Sequence, residues 1–359
     1  MSIERSSRRA RRFRGIAAAA LLACVAVPAC DDEPDPIDPG DDDPFVLAET
    51  FPLDAPGRAF AIVEDAPPIA LVASEFHSDI AGISLKPGSL ASLFELEAPK
   101  GPRAICASSR DVLVAGTSSA SVVRYELEDG DLVERETVEV DGPPTAVACA
   151  DADGDGVTDF AAAVGFEEEA TIIPFGSGSL APGDGVPFAS ASSLRFADVD
   201  DDGDLDLVAL ATAQTSLAIV VREGAGYGES TTLDLPCEAP RATAAMGSAT
   251  IAVACDGEIL LVENPISDAP TVTSIEAQPA LYDVVADDFD GDGNLDLAAV
   301  GIIEHELEVW MGPTAQLQHY EYPVARGPIA LAISRSQSNE DSALIVLSFE
   351  QARLSVFEH

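Results

Sequence analysis

Residues 145–164 read TAVACADADGDGVTDFAAAV and contain the three parts on which the fold prediction depends. A short apolar run at 145–149 leads into an acidic, glycine-containing loop at 151–159, and a second apolar run follows at 160–164. Both runs have the length of a β-strand, and Asp with Gly favours a turn between them. The stretch therefore predicts two antiparallel strands joined by an acidic loop.

The same unit recurs along the chain at intervals of 41 to 49 residues. The seven first strands are short, are mostly rich in small residues, and are predicted to begin at Arg58, Arg103, Thr145, Ser192, Arg241, Tyr282 and Ile329. A second apolar run and two alternating segments, such as 121–127 and 132–140, complete a unit. Four short strands with a period of about 45 residues predict the blade of a β-propeller, in which small residues suit the crowded central axis.

The two ends of the repeat region predict how the ring closes. The last unit contains only three strands, whereas an additional strand at 45–54 precedes the first unit and matches the outer strand at 133–141. Pairing of the N-terminal strand with the last unit would leave no open sheet edge. We therefore predict an all-β fold, a seven-bladed β-propeller over residues 45–359, with the N-terminal strand closing the last blade.

The third, fourth and sixth units carry the acidic loop, with Asp at positions 1, 3, 5 and 9 and Gly at position 6. Calcium takes about six to eight oxygen ligands, and the backbone carbonyl of position 7 is expected to be one of them. Close carboxylates repel one another without a cation, so the loops predict about three structural Ca²⁺ sites. The predicted ligands are Asp151, Asp153, Asp155, Val157 and Asp159; Asp198, Asp200, Asp202, Asp204 and Asp206; and Asp288, Asp290, Asp292, Asn294 and Asp296.

These loops are not EF-hands, which place Glu at position 12 and continue into a helix. Position 12 is Ala162, Ala209 or Ala299, each inside a predicted strand. The alternative is that the loops are acidic Asp-Gly turns without a metal. Three loops at the same point of the repeat favour the metal.

In sequence and position the loops resemble those of FG-GAP or VCBS repeats, the calcium-bearing blade repeats of the integrin α-subunit head and of many bacterial surface proteins. The resemblance covers the third, fourth and sixth units, while the Phe-Gly and Gly-Ala-Pro signatures are mostly absent. It implies that calcium lies on one face of the propeller and pins the first two strands of a blade, a structural role. WD40 repeats are disfavoured because Trp310 is the only Trp.

The N-terminus predicts export. An Arg-rich opening at 5–14 precedes an apolar stretch at 15–29, as in a secretory signal that is too short to span a bilayer. Residues 27–30, Val-Pro-Ala-Cys, resemble the lipobox of bacterial lipoproteins, which implies lipidation of Cys30. Cys24 is the alternative acylated residue, and ordinary signal-peptidase cleavage would keep export without the anchor.

The predicted organisation is therefore a lipoprotein signal peptide at 1–29, a lipidated Cys with an acidic disordered tether at 30–44, and the propeller at 45–359. The tether contains eight acidic residues and four Pro between 31 and 44, so it cannot bury a core. The expected location is the bacterial cell envelope, anchored in a membrane through the lipid only, with the outer membrane or cell surface favoured.

Cysteine positions give two further expectations. Cys237 and Cys255 flank one predicted strand pair and are expected to form a disulfide, which export permits. Cys106 and Cys149 fall within first strands and are expected to be buried thiols.

Charge and motif content limit the function. The formal net charge of −44 excludes nucleic-acid binding, because phosphates repel such a protein. None of the four His residues lies in a known catalytic motif, so no catalytic residue is predicted. We expect a non-catalytic surface binding, adhesion or scaffold protein; the alternatives are an envelope enzyme or accessory subunit acting on polysaccharide, and an assembly subunit.

A protein or glycan ligand is expected on the loop face opposite the calcium loops. The candidate loop residues there are Glu75-Phe76-His77, Phe166-Glu167-Glu168-Glu169, Glu304-His305-Glu306, Lys100 and Arg326, each also explicable as a solvated turn.

Overall fold

The computed structural model describes residues 43–165, 170–188, 191–312, 317–335 and 342–359. These residues form 28 β-strands and no helix, arranged in seven four-stranded antiparallel sheets. The predicted all-β, seven-bladed propeller is therefore confirmed. The predicted signal peptide, Cys24, Cys30 and residues 31–42 of the tether lie outside the described residues. In the described part, no helix is long and apolar enough to cross a membrane.

In chain order the strands are β1 (Val46–Pro52), β2 (Ala59–Val63), β3 (Ile69–Ser74), β4 (Asp79–Ser84), β5 (Ala91–Glu97), β6 (Pro102–Ser108), β7 (Asp111–Gly116), β8 (Ser121–Glu128), β9 (Asp131–Glu139), β10 (Pro144–Ala150), β11 (Asp159–Val164), β12 (Thr171–Pro174), β13 (Val186–Pro187), β14 (Ser193–Ala197), β15 (Asp206–Ala211), β16 (Ser216–Glu223), β17 (Gly226–Asp234), β18 (Ala242–Ala245), β19 (Thr250–Ala254), β20 (Glu258–Glu263), β21 (Thr271–Glu276), β22 (Leu281–Asp287), β23 (Asp296–Gly301), β24 (Glu306–Met311), β25 (Gln318–Pro323), β26 (Pro328–Arg335), β27 (Ser342–Ser348) and β28 (Arg353–Glu358). Blades 1 to 6 are β2–β5, β6–β9, β10–β13, β14–β17, β18–β21 and β22–β25, and blade 7 is β26–β28 with β1. Each observed first strand begins within one residue of its predicted start.

The N-terminal strand closes the ring, as predicted. β1 pairs antiparallel with β28, from Val46 opposite Glu358 to Pro52 opposite Arg353. Just before β1, Phe45 is buried, and its backbone N–H donates to the Tyr322 hydroxyl at 3.2 Å. The last blade is thereby built from both ends of the propeller and presents no free outer edge at β28.

The hydrophobic core is divided among the seven contacts between neighbouring blades. Each contact has its own cluster of buried apolar side chains, including the one between blades 7 and 1. Second strands such as β3, β11, β15 and β23 are buried along their whole length because blades cover both of their faces. Burial of this apolar surface is what holds the blades in a ring.

The seven first strands surround a central channel of about 630 Å³. Strand direction defines two faces: the Asp-loop face, where first strands end, and the mouth face, where first strands start and where second strands turn into third strands. The three acidic loops all join a first strand to a second strand and therefore share the Asp-loop face.

The cysteine expectations have different outcomes. The Cys237–Cys255 disulfide is confirmed. The expectation of buried thiols at Cys106 and Cys149 is wrong, because these residues form a second disulfide between β6 and β10. They lie one repeat apart, on adjacent first strands that converge at the channel, and their Cα atoms are 5.7 Å apart.

Candidate metal centre

Carboxylates of positions 1, 3 and 9 converge in each acidic loop. One oxygen from each of the three side chains lies within 4.8 Å of the other two. The three groups are Asp151, Asp153 and Asp159 in blade 3; Asp198, Asp200 and Asp206 in blade 4; and Asp288, Asp290 and Asp296 in blade 6. Three carboxylate oxygens at this separation are the hard donors that calcium prefers.

The position-9 carboxylate is the buried member of each group. Asp159, Asp206 and Asp296 open the second strand and are 4%, 1% and 0% exposed. Each accepts the backbone N–H of position 2, at 2.8 to 2.9 Å. Burial raises the pKa of these carboxyl groups above the usual value, and neighbouring Asp carboxylates raise it further, while the backbone hydrogen bonds lower it. Burying one carboxylate beside two others is costly unless a positive charge compensates.

The position-1 carboxylate fixes the conformation of the loop through a hydrogen bond from the backbone of position 6. Its carboxylate accepts the backbone N–H of Gly156, Gly203 or Gly293, at 2.9, 3.3 and 3.0 Å. These glycines have φ values of 84°, 93° and 86°, a left-handed conformation that side chains rarely adopt. The glycine at position 6, visible in the sequence, is therefore required by the turn.

The sequence predicts that the position-5 carboxylate lies beside those of positions 1, 3 and 9, and the structure places it elsewhere. Asp155, Asp202 and Asp292 lie outside the converging groups among the described residues, and each accepts the backbone N–H of position 7 at 2.7 to 2.9 Å. Their role as ligands, and that of the carbonyl oxygens of Val157, Asp204 and Asn294, stays a prediction.

One oxygen in the blade 6 loop has no hydrogen-bond donor. Asp288 Oδ1 is buried, and no partner for it exists among the described residues. Its other oxygen accepts the N–H of Gly293. A buried carboxylate oxygen without a donor is costly, and a bound cation would satisfy it.

Arg222 is a contributor that the sequence pattern did not indicate. It lies in β16 of blade 4, is 8% exposed, and donates from Nη2 to Asp153 Oδ2 of the blade 3 loop at 2.9 Å. Nη1 lies 3.8 Å from Asp159 Oδ2. The guanidinium thus supplies positive charge to the blade 3 loop, and no Arg makes such a contact with the other two loops in the part of the chain that is described.

The buried side chain at position 2 is a second feature that the loop motif did not predict. Ala152, Val199 and Phe289 are each 1% exposed and point into the core beneath the loop. The apolar residue between two Asp residues could have indicated this burial, because a fully exposed turn does not require an apolar side chain there. The buried side chain holds the loop against the blade.

A further His and Glu group lies on blade 6. Glu308 is buried and accepts the backbone N–H of Gln278 at 2.8 Å, and His319 Nε2 lies 3.0 Å from its other oxygen. Glu321 lies nearby. Both Glu308 oxygens therefore have protein partners, and this network is explained without a metal.

Some of the residues predicted to bind a ligand on the mouth face already contact other residues of the protein, and others are exposed. His305 Nδ1 accepts the backbone N–H of Gly327 at 3.3 Å, and His77 lies 3.5 Å from Asp79. Phe76 is 69% exposed. Residues 166–169 lie outside the described residues.

No family model matches the chain, and no curated protein matches it. Among solved structures, a chain from the crystal structure of BBS1N in complex with ARL6DN has a TM-score of 0.68 at 13% identity, over 88% of this chain and 96% of that one. The hydrazine synthase of Kuenenia stuttgartiensis has a TM-score of 0.65 at 11% identity, over 85% and 96%. Virginiamycin B lyase of Staphylococcus aureus has a TM-score of 0.61 at 12% identity, over 88% and 99%. These likenesses show the fold alone.

Proposed function

We propose that this chain is an exported, lipid-anchored β-propeller of the FG-GAP/VCBS type with three structural calcium sites, acting as a non-catalytic binding or scaffold protein of a bacterial cell envelope. The observation that carries the proposal is the convergence of three carboxylates at the same point of three blades. The buried, donor-free Asp288 Oδ1 supports it.

The role of calcium in this proposal is to hold the first two strands of a blade together. Position 1 follows the first strand, and position 9 begins the second. A cation bound to both spans the turn, so its binding free energy adds to the stability of the fold. This favours a structural role over a regulatory one.

The proposed ligand-binding surface is the mouth face. Two large apolar side chains are exposed in its turns, Phe76 at 69% and Ile303 at 59%. Phe76 packs against Phe349 of blade 7, with ring centroids 6.0 Å apart. Exposed aromatic groups on a rigid scaffold suit a protein or glycan ligand, whereas the net charge of −44 opposes nucleic acid.

Calcium removal tests the metal sites. At free calcium about 100-fold above Kd, each site contributes about 2.7 kcal/mol. For a domain of this size, three such sites correspond to a Tm lower by about 10 °C in EGTA than in calcium, measured by scanning calorimetry. The variant Asp153→Ala/Asp200→Ala/Asp290→Ala is expected to melt at nearly the same temperature in both buffers.

A charge-matched control separates metal binding from general charge effects. The variant Asp131→Ala/Asp184→Ala/Asp268→Ala removes three exposed acids from other turns and strands and should keep the wild-type response to calcium. A wild-type transition that is indifferent to calcium would refute the metal sites.

Cell fractionation tests the anchor. Cys30→Ala is expected to move the protein from the membrane fraction to the soluble exported fraction, because the lipid is attached there, while Cys24→Ala stays membrane-bound. The reverse pattern assigns the lipid to Cys24, and a wild-type protein found only in the soluble fraction contradicts the anchor.

A further inference from the structure

Basic residues are concentrated at the central channel of an acidic protein. After residue 44 the chain contains 13 Lys and Arg against 54 Asp and Glu. Four of the 13 line the channel: Arg58, Arg103, Arg195 and Arg241. Asp283 is the one acid among the lining residues. The channel therefore carries a local excess of positive charge that opposes the charge of the whole chain.

Three of the four arginines, Arg58, Arg103 and Arg241, lie at the mouth-face end of a first strand, and Arg195 lies in the middle of β14. Blades 2, 3, 6 and 7 each show an irregular register at the start of the first strand, and the residues skipped there are Arg103, Thr145, Tyr282 and Ile329. In blades 1 and 5 the residues just before the first strand are Arg58 and Arg241. Bulges redirect side chains, and all six of these residues line the channel.

The mouth is organised around Tyr282. Arg58 Nη1 donates to the Tyr282 hydroxyl at 3.1 Å, and the Arg241 guanidinium lies 5.5 Å from the centre of the Tyr282 ring. These contacts hold two guanidinium groups from blades 1 and 5 near one ring from blade 6 without neutralising either of them.

Most of this positive charge has no acidic partner. Within the described residues, no carboxylate oxygen lies within 4.0 Å of Arg58, Arg103 or Arg241. Arg195 lies 3.6 Å from Asp283, yet its Nε is buried without a hydrogen-bond partner. Unpaired guanidinium groups that converge in one cavity repel one another, and an anion would relieve this repulsion.

The channel has two unlike ends. On the side of the Asp-loop face it is lined by small apolar residues such as Ala107, Ala150, Ala245 and Ala286. An anion would therefore be attracted to the mouth and repelled by the acidic loops beyond the other end. A volume of about 630 Å³ is within the range of small-molecule sites, and Arg guanidinium binds two oxygens of a carboxylate or a tetrahedral oxyanion with two parallel hydrogen bonds.

We propose that the mouth of the central channel is a binding site for a compact oxyanion, a ligand that carries carboxylate or sulfate groups, held by Arg58, Arg103, Arg195 and Arg241 beside the Tyr282 hydroxyl. This inference deepens the proposed binding role by naming the chemistry of a ligand. It uses side chains remote in sequence from the acidic loops.

Isothermal titration calorimetry with succinate and with sulfate, each in calcium buffer at constant ionic strength, tests the site. The wild type is expected to bind at least one of the two saturably at a single site, and the comparison between them shows whether carboxylate or sulfate is preferred. The variant Arg58→Gln/Arg241→Gln should bind at least about tenfold more weakly, because a hydrogen bond to a charged group contributes that much.

Lys86→Gln/Arg135→Gln provides the matched control, because it removes the same charge from exposed positions away from the channel. It should bind the probe as the wild type does. Absence of saturable binding of both probes to the wild type, or an equal loss in the two variants, overturns the proposal.

The calcium dependence of Tm, measured on the same samples, separates the two proposals. Arg58→Gln/Arg241→Gln should retain the wild-type calcium response. Lost anion binding with that response intact overturns only the channel site, and anion binding without any calcium response overturns only the metal sites.

Discussion

Asp296→Ala is expected to lower the free energy of unfolding by about 3 kcal/mol even in EGTA. Asp296 is fully buried and accepts two backbone N–H groups, from Phe289 at 2.8 Å and from Gly312 at 2.7 Å. Removal of the carboxylate leaves both donors without an acceptor, at about 1–3 kcal/mol for each group that stays buried, and relief of the carboxylate's own burial cost keeps the net loss in the lower half of the summed range. Urea unfolding in EGTA measures the loss without any contribution from calcium.

The matched control lies in the same loop. Asp292→Ala removes the same charge from an exposed position that serves only Asn294, through its backbone and its side-chain amide, and should cost less than about 1 kcal/mol. In calcium, Asp296→Ala should lose further stability, because a ligand is lost as well. Equal destabilisation by the two variants in EGTA would contradict the role assigned to the buried carboxylate.

Removal of the Cys106–Cys149 disulfide is expected to lower the free energy of unfolding by about 4 kcal/mol. The bridge closes a loop between residues 43 positions apart, and the chain-entropy model assigns about this much to a loop of that length. The variant Cys106→Ala/Cys149→Ala, unfolded in urea beside the wild type, measures it.

The second disulfide supplies the comparison. Cys237 and Cys255 are 18 positions apart, so the same model gives about 3 kcal/mol for Cys237→Ala/Cys255→Ala. Cys255 is also fully buried, so the loss of its packing adds to that entropic figure. A cost below about 1 kcal/mol for the Cys106 and Cys149 pair would show that convergence at the channel already holds blades 2 and 3 together.

The blade count and the closure of the ring were determined by the sequence alone. Strand length, turn residues and the alternation of apolar positions are local properties, and they repeat seven times between Arg58 and Ile329. The acidic loops could also be identified from the sequence, because Asp at alternate positions and Gly at position 6 form a local pattern. The burial of position 9 depends on the tertiary structure, because Asp159, Asp206 and Asp296 begin second strands that neighbouring blades cover on both faces.

Contacts between blades were decided only by the tertiary structure. Arg222 reaches Asp153 from 69 positions away, Cys106 meets Cys149 across two first strands, and Arg58 meets Tyr282 across the channel. None of these pairs belongs to one repeat. Packing of neighbouring blades and convergence of the first strands at the channel bring them together, so a pattern read within a single unit contains no signal for them.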